Sequence, residues 1–350
     1  MPWTKLVADS HIVEKRTIGR RKLSYGGALR EALSQAMKVD SRVFVMGEGV
    51  DAPKGIFGTT DGLEKIFGKD RVFDLPLAEN AFTGFAVGSA ITGMRPVLVH
   101  MRMDFMLLSM DQIVNHASKW RYMFGGKEKV PLTIRCIIGR GWGSGAQHSQ
   151  SLEGLFMHIP GIKIACPSTA YDAKGLLLSA ISDNDPVIFI EHRWLYSTKC
   201  HVPQKPYIVP FGEAIIRKKG KDVSVIAYSL MVNEAIAAAN ELEKDNISVE
   251  VIDLRTLAPL DRPAILSSVK KTGRAVVATL DWKTAGVSSE LSAFISEEAH
   301  FDLKSPVERV ALPDTPTPAC DVLEKVFYRN REDIKKAIYK TLKTGGKGIL

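Results

Sequence analysis

Short runs of apolar, β-branched residues alternate with segments of helical periodicity along almost the whole chain. The runs VFVMG (43–47), PVLVHM (96–101), PLTIRCII (131–138), IKIAC (162–166), PVIFIEH (186–192), VSVIAYS (223–229), ISVEVIDL (247–254) and AVVATLD (275–281) predict strands. Most are apolar without alternation, as strands of a parallel sheet covered by helices on both faces must be. Helical patterns over 24–38, 79–92, 106–123, 172–182, 231–244, 263–271 and 286–298 fill the intervals. The alternation predicts an α/β fold with mainly parallel sheets. It breaks at 197–212, STKCHVPQKPYIVPFG, where prolines and polar residues interrupt it. We therefore expect two domains, 22–200 and 213–343, joined by a linker at 201–212, with tails at 1–21 and 344–350.

Composition narrows the class. The 350 residues are 45% hydrophobic and 25% charged, an ordinary globular mixture with length for about two domains. No apolar stretch reaches the roughly 18–20 residues that span a bilayer, so no membrane association is expected. Cysteines at 136, 166, 200 and 320 form no CxxC pair and have no clustered histidine, which indicates neither zinc nor a disulfide framework. They read as reduced thiols of a cytoplasmic protein. The net charge of +8 gathers partly in KRTIGRRK (15–22) and KKAIYKTLKTGGKG (335–348). Neither run has interleaved aromatics, so both read as solvated faces and nucleic acid is not an expected partner.

Three segments could carry chemistry. In DLPLAENAFTGFAVGSAITGMRPVLVHM (74–101), Glu79 opens a helix of small residues, Ala81, Gly84, Ala86, Gly88, Ala90 and Gly93. Small residues let a backbone or a flat ligand approach closely. Glu79 alone is equally explained as a first-turn carboxylate facing the helix dipole. In IIGRGWGSGAQHSQSLEG (137–154), Gly141, Gly143 and Ala146 fit GxGxxA. The dinucleotide reading fails, because no helix follows directly and the next strand, IKIAC, ends in Pro167-Ser168 rather than an acid. What remains is His148 on a glycine-rich loop, suited to proton handling, or simply a solvated loop histidine. In 101–126, Met101, Phe105, Leu108, Gln112 and Asn115 recur at helical spacing, a stripe that fits a core as readily as a cofactor contact. No GxSxG elbow or GxxxxGK[ST] loop is present.

Taken in order, PLAEN, DFMLLSMDQIVNHASKWRYMFGG, GAQHSQSLEGLFMHIPG and PSTAYDAKGLLLSAISDNDPVIFIEH closely resemble the β subunit of the thiamine diphosphate-dependent E1 component of 2-oxoacid dehydrogenases, of pyruvate, branched-chain and acetoin type. VIDLRTLAPLD, GVSSE and PDTPTPACDVLEKVF extend the likeness, which runs from about residue 22 to 340. It implies a thiamine diphosphate pyrimidine-binding (transketolase-like) domain followed by a transketolase C-terminal domain. Glu79 matches the family's cofactor-activating glutamate, which exchanges a proton with the aminopyrimidine ring. The decarboxylation itself belongs to the cofactor. Met101 and Phe105 match residues that contact the pyrimidine, and Leu108 stands where some members have a glutamine. His148 matches the histidine that approaches substrate and the lipoyl acceptor. The carbonyls of Leu132, Ala180 and Ile181 with Asp183 and Asp185 match a structural potassium (K+) site of some members, although DND also reads as a plain turn. Arg102, Trp142 and the pair Asp281-Trp282 depart from the family's pattern.

The resemblance also implies what this chain lacks. Such enzymes hold the cofactor's diphosphate through Mg2+ bound by GDG and a downstream asparagine, and the nearest string here is Thr60-Asp61-Gly62. The magnesium half of the site is therefore expected from an E1 α subunit. The expected assembly is an α2β2 heterotetramer with helix 79–92 at an interface, acting as an oxidoreductase that serves a lipoyl-bearing E2. The alternatives are the C-terminal half of a split transketolase-type enzyme and a non-catalytic, partner-binding paralogue.

Overall fold

The computed structural model describes residues 21–52, 54, 56–139 and 143–344. Most of the expected tails, the basic residues 15–20, Gly141 and Trp142 lie outside the described residues. The chain forms two compact units. One holds the chain up to Gly139 together with Met157–Phe211, and the other holds Arg140–Phe156 together with the chain from Gly212 onward. The change from one to the other at 211/212 falls at the end of the stretch read as a linker.

In chain order the first unit carries β1 (Lys22–Ser24), α1 (Tyr25–Val39), β2 (Val43–Gly47), α2 (Leu63–Phe67), β3 (Val72–Asp74), α3 (Glu79–Ile91), β4 (Arg95–His100), α4 (Met103–Met106), α5 (Ser118–Met123) and β5 (Thr133–Ile138). The helix α6 (Glu153–Met157) opens in the segment assigned to the second unit. The first unit then resumes with β6 (Lys163–Ala165), α7 (Ala170–Ser182), β7 (Val187–His192) and β8 (Lys199–His201). Its strands run in the order β6-β7-β5-β4-β2-β3, all parallel, while β1 and β8 form a separate antiparallel pair. Every residue of β2, β4, β5 and β7 is buried, which accounts for their unbroken apolar runs.

Capping fixes the helices that cover this sheet. The Ser24 hydroxyl accepts the Gly27 N–H at 3.1 Å, and Thr169 accepts the Asp172 N–H at 3.1 Å. Helix α1 buries Tyr25, Ala28, Leu29, Ala32, Leu33, Ala36 and Met37 at helical spacing and packs against α7. Lys174 on α7 is fully buried, its ammonium held by Glu31 at 2.6 Å and the Pro203 carbonyl at 2.7 Å. The segment read as helical over 106–123 is helical along its length but changes winding: α4 gives way to a 3-10 turn at Leu107–Ser109, then to a wide π turn at Gln112–Ala117, then to α5. Ser118 donates to the Val114 carbonyl at 2.6 Å, a side-chain bond that competes with the regular ladder.

The second unit continues with β9 (Ile215–Lys218), β10 (Val223–Ala227), α8 (Leu230–Leu242), β11 (Val249–Asp253), β12 (Thr256–Ala258), α9 (Arg262–Thr272), β13 (Ala275–Trp282), α10 (Val287–Glu298), β14 (Glu308–Leu312), α11 (Asp321–Phe327) and α12 (Arg331–Thr344). Its sheet order is β14-β13-β10-β11-β9, parallel except for β9 at the edge. Asp261 caps α9 by accepting the Ala264 N–H at 3.0 Å, and Gly273 ends it at φ +71°. The expected α/β architecture with mainly parallel sheets is present in both units. Among the described residues, no helix is long and apolar enough to cross a membrane.

Candidate active site

In a parallel sheet, ligands gather at the carboxyl ends of the strands. In the first unit that edge carries acids. Glu48 directly follows β2, Asp74 ends β3, and Glu79 is the first residue of α3. The bend that delivers Glu48 depends on Gly47, because a Cβ there would collide with the Val99 carbonyl on β4. Glu48 donates its N–H to that carbonyl at 3.4 Å, and the next residue, Gly49, donates its N–H to the Asp74 carboxylate. Burial, the Glu79 charge, a hydrogen bond with Glu79 and the Asp74 charge together push the Glu48 carboxyl from 4.5 to about 7. Glu48 and Glu79 are thus a carboxyl pair that keeps one proton near neutral pH.

A narrow recess at the pair is lined by Glu48, Leu75, Pro76, Glu79, Phe82 and Val99. His100 also lines it, and burial holds that imidazole down at about 4, so it is neutral. Its Nε2 lies 3.5 Å from the Thr83 hydroxyl, which donates to Ser109 at 2.8 Å and ties α3 to the turn after α4. Around this site apolar side chains face outward. Leu77 is 81% exposed, Leu108 63% and Phe85 53%. Helix α3 explains this: Thr83, Ala86, Val87 and Ala90 are buried, and Ala81, Phe85 and Gly88 face away from the core.

The structure therefore groups several residues named from sequence. Glu79 lies at the acid pair, and the Met101 methyl sits 3.5 Å from where a Cβ on Gly49 would stand. Phe105 is half-buried on α4, and Leu108 is on the turn that packs against α3. Arg102, read as a departure, is buried and donates to the Gly139 carbonyl at 2.6 Å. Sequence reasoning passed over Glu48. Its signal was an acid directly after a fully apolar predicted strand, where α/β ligands bind.

His148 belongs to the second unit, on the segment before α6, and its side chain is exposed. Gly143 and Gly145 turn this segment with φ of +65° and +67°. Asp281, also named from sequence, is the next-to-last residue of β13 and accepts the Val287 N–H at 2.6 Å.

The oxygens named for potassium do come together, and each has a protein partner. Lys163 contacts Asp183 at 2.7 Å and Asp185 at 3.2 Å, and Arg121 reaches Asp185 at 2.6 Å. Arg95 donates to the Ile181 and Asp183 carbonyls at 2.9 and 2.7 Å. Leu132 and Ala180 accept backbone N–H bonds from Val187 and Asp183. The carboxylates are spent on side-chain cations, so a potassium ion would be left with carbonyls, one of them shared with Arg95. Among the described residues no group of three or more His, Cys, Asp or Glu is arranged to hold a metal ion.

Comparison with known proteins identifies the two domains. Residues 21–199 match the transketolase pyrimidine-binding domain, and residues 212–334 match the transketolase C-terminal domain. The chain is 46% identical over 335 residues to the β subunit of acetoin:2,6-dichlorophenolindophenol oxidoreductase of Cupriavidus necator, covering 93% of this chain and 99% of that one. It is 45% identical over 316 residues to the pyruvate dehydrogenase E1 component subunit β of Bacillus subtilis, covering 90% and 97%. The 2-oxoisovalerate dehydrogenase subunit β of the same organism is 43% identical over 318 residues, with the same coverage. A solved split-gene transketolase, described as an inactive β4 tetramer, shares the fold at TM-score 0.73 and 23% identity, covering 92% of this chain and 99% of that one. With two transketolase domains in this order and relatives of this identity along most of its length, the chain belongs to the family of E1 β subunits of 2-oxoacid and acetoin dehydrogenases.

Proposed function

We propose that this chain is the β subunit of a cytoplasmic 2-oxoacid dehydrogenase E1 and provides the pyrimidine half of a thiamine diphosphate site shared with an α subunit. The observation that carries the reading is the Glu48–Glu79 pair, poised near neutral pH at the strand edge beside exposed apolar residues. When bound, thiamine diphosphate supplies the electron sink for decarboxylation of a 2-oxoacid. Glu79 hydrogen-bonds the aminopyrimidine ring nitrogen and passes a proton to or from it. Glu48, with a pKa of about 7, stores that proton, since an acid–base group is most effective near the operating pH. Met101, Phe105 and Leu108 give the ring an apolar bed that excludes water. His148 serves the substrate and the lipoyl acceptor carried by E2.

The partner follows from two features. The chain has no GDG motif, so magnesium and the diphosphate are held mainly by the α subunit. The outward apolar face of α3, with Leu77, Phe85 and Leu108, is the surface that subunit covers in an α2β2 heterotetramer. The test is co-expression with an α-type chain carrying GDG, followed by thiamine-dependent turnover of pyruvate, branched-chain 2-oxoacids and acetoin. Turnover that Glu79→Ala abolishes while the heterotetramer persists supports the reading. Sugar-phosphate turnover would instead identify a split transketolase, and an inert wild-type complex a partner-binding scaffold.

A further inference from the structure

The second unit buries a carboxyl that no step above uses. Glu153 has no exposed surface, and no other side chain hydrogen-bonds either of its oxygens. It opens α6, directly after the segment 143–152 on which His148 stands. Asp281, 2% exposed near the end of β13, is the charged group that acts on it, and no cation does so among the described residues. The Oδ2 of Asp281 accepts the Val287 N–H from α10, and the Thr279 side chain is its other hydrogen-bonding neighbour.

Glycines allow this approach. A Cβ on Gly154 would come within 3.1 Å of the Gly286 Cα and 3.2 Å of Asp281 Oδ2, and a Cβ on Gly286 within 2.6 Å of the same oxygen. Gly143 and Gly145 similarly abut Ala319, so the segment lies against the rest of its own unit at both ends. Two ionised carboxylates cannot share such a dry site without a cation.

We infer that Glu153 is a positioning residue that works as a neutral acid: protonated, it keeps the His148 segment docked on β13 and α10, and ionised, it releases it. The electrostatics of the pair agree with this geometry. Burial first, then the Asp281 charge, raises Glu153 well above the carboxylate range, and burial raises Asp281 to about 6. An acid whose pKa is raised by docking stabilises the docked state at low pH, and the stabilisation is lost as pH climbs through the raised value. The groups that face Asp281 are the Val287 N–H from α10 and the Thr279 side chain on its own strand, neutral hydrogen-bonding groups that favour its charged form against burial. The inference rests on the proposed role of His148 only for its consequence in turnover.

Amide hydrogen exchange over 143–156 in the full chain, corrected for intrinsic rates, tests it. Between about pH 6 and pH 9 the wild-type segment is expected to lose protection about tenfold, while Glu153→Gln, isosteric and unable to ionise, stays protected. Equal pH dependence in the two proteins would overturn the inference. Asp281→Asn offers a second reading should Glu153→Gln fold poorly. Removing that charge lowers the Glu153 pKa, so release moves to lower pH, and an unmoved midpoint is equally fatal. In the α-containing complex, the alkaline limb of kcat/KM shifts upward in Glu153→Gln. A complex without turnover whose exchange behaves as described would sink the catalytic reading and leave the positioning role standing.

Discussion

Two pairs of acids, one in each unit, use the same electrostatics for different ends. Glu48 and Glu79 stand at an open strand edge, half-buried, with apolar side chains facing outward around them. Glu153 and Asp281 are sealed among glycines and backbone, at 0% and 2% exposure. Both pairs hold a proton that an isolated carboxylate would give up at neutral pH. The difference is access. A proton at an open edge can be exchanged with a bound ligand, whereas a proton in a sealed site can govern only whether the protein around it stays closed. A third buried acid sharpens the contrast. Glu191, fully buried, is gripped by Arg135 at 2.6 and 3.0 Å and accepts the Tyr196 hydroxyl at 2.7 Å, so its site, unlike the other two, contains a cation.

The largest expected effect breaks the open pair. Glu79→Gln keeps the shape and removes the exchangeable proton, so kcat of the α-containing complex should fall about 10²–10⁴-fold with the heterotetramer intact. Retained turnover would reduce Glu79 to a helix-capping role. Next is the paired acid. Glu191→Ala leaves the Arg135 guanidinium buried and uncompensated, and denaturant unfolding should report a loss of about 3–5 kcal/mol. A loss below about 1 kcal/mol would mean that water enters the site and the comparison fails there. Gly286→Ala then probes the sealed pair. Its methyl would collide with the Trp282 carbonyl and press on Asp281, so stability should drop by about 1–3 kcal/mol and exchange over 143–156 should rise.

Much of this was legible in the residues. Unbroken runs such as VFVMG and PVIFIEH are buried on both faces because helices cover the sheet on each side, and that alone specifies the α/β fold. Glu79 was visible because its neighbours are small and apolar. Glu48 was not, because GEG reads as an ordinary turn until pairing with β4 and β3 brings it to Glu79. The grouping of 140–156 with the second unit was hidden for a similar reason. Between β5 and β6 in sequence, the segment reads as part of the first domain, and only the meeting of Gly154 with Gly286, 132 residues on, assigns it elsewhere. The stretch read as helical over 106–123 is helical throughout, but periodicity could not register its change of winding from 3-10 to π to α.

The smallest effect is also the most discriminating for the open pair. Glu48 is raised from 4.5 to about 7, so the folded state binds its proton more tightly than the unfolded chain does. Its contribution to stability is complete below about pH 4.5 and disappears as pH rises to about 7. Glu48→Gln cannot ionise and should remove that slope, so thermal midpoints of variant and wild type converge at the acid end and separate toward neutrality, with the variant higher. Because the edge is half open, water screens the pair and the separation should be modest. A separation as large as that between Glu153→Gln and wild type would place Glu48 in a sealed site after all. Thiamine diphosphate and the α subunit supply the complementary check. If the partner covers this edge, their addition should move the Glu48 transition while leaving the Glu153 transition where it was, since only one of the two protons faces a surface that a ligand can reach.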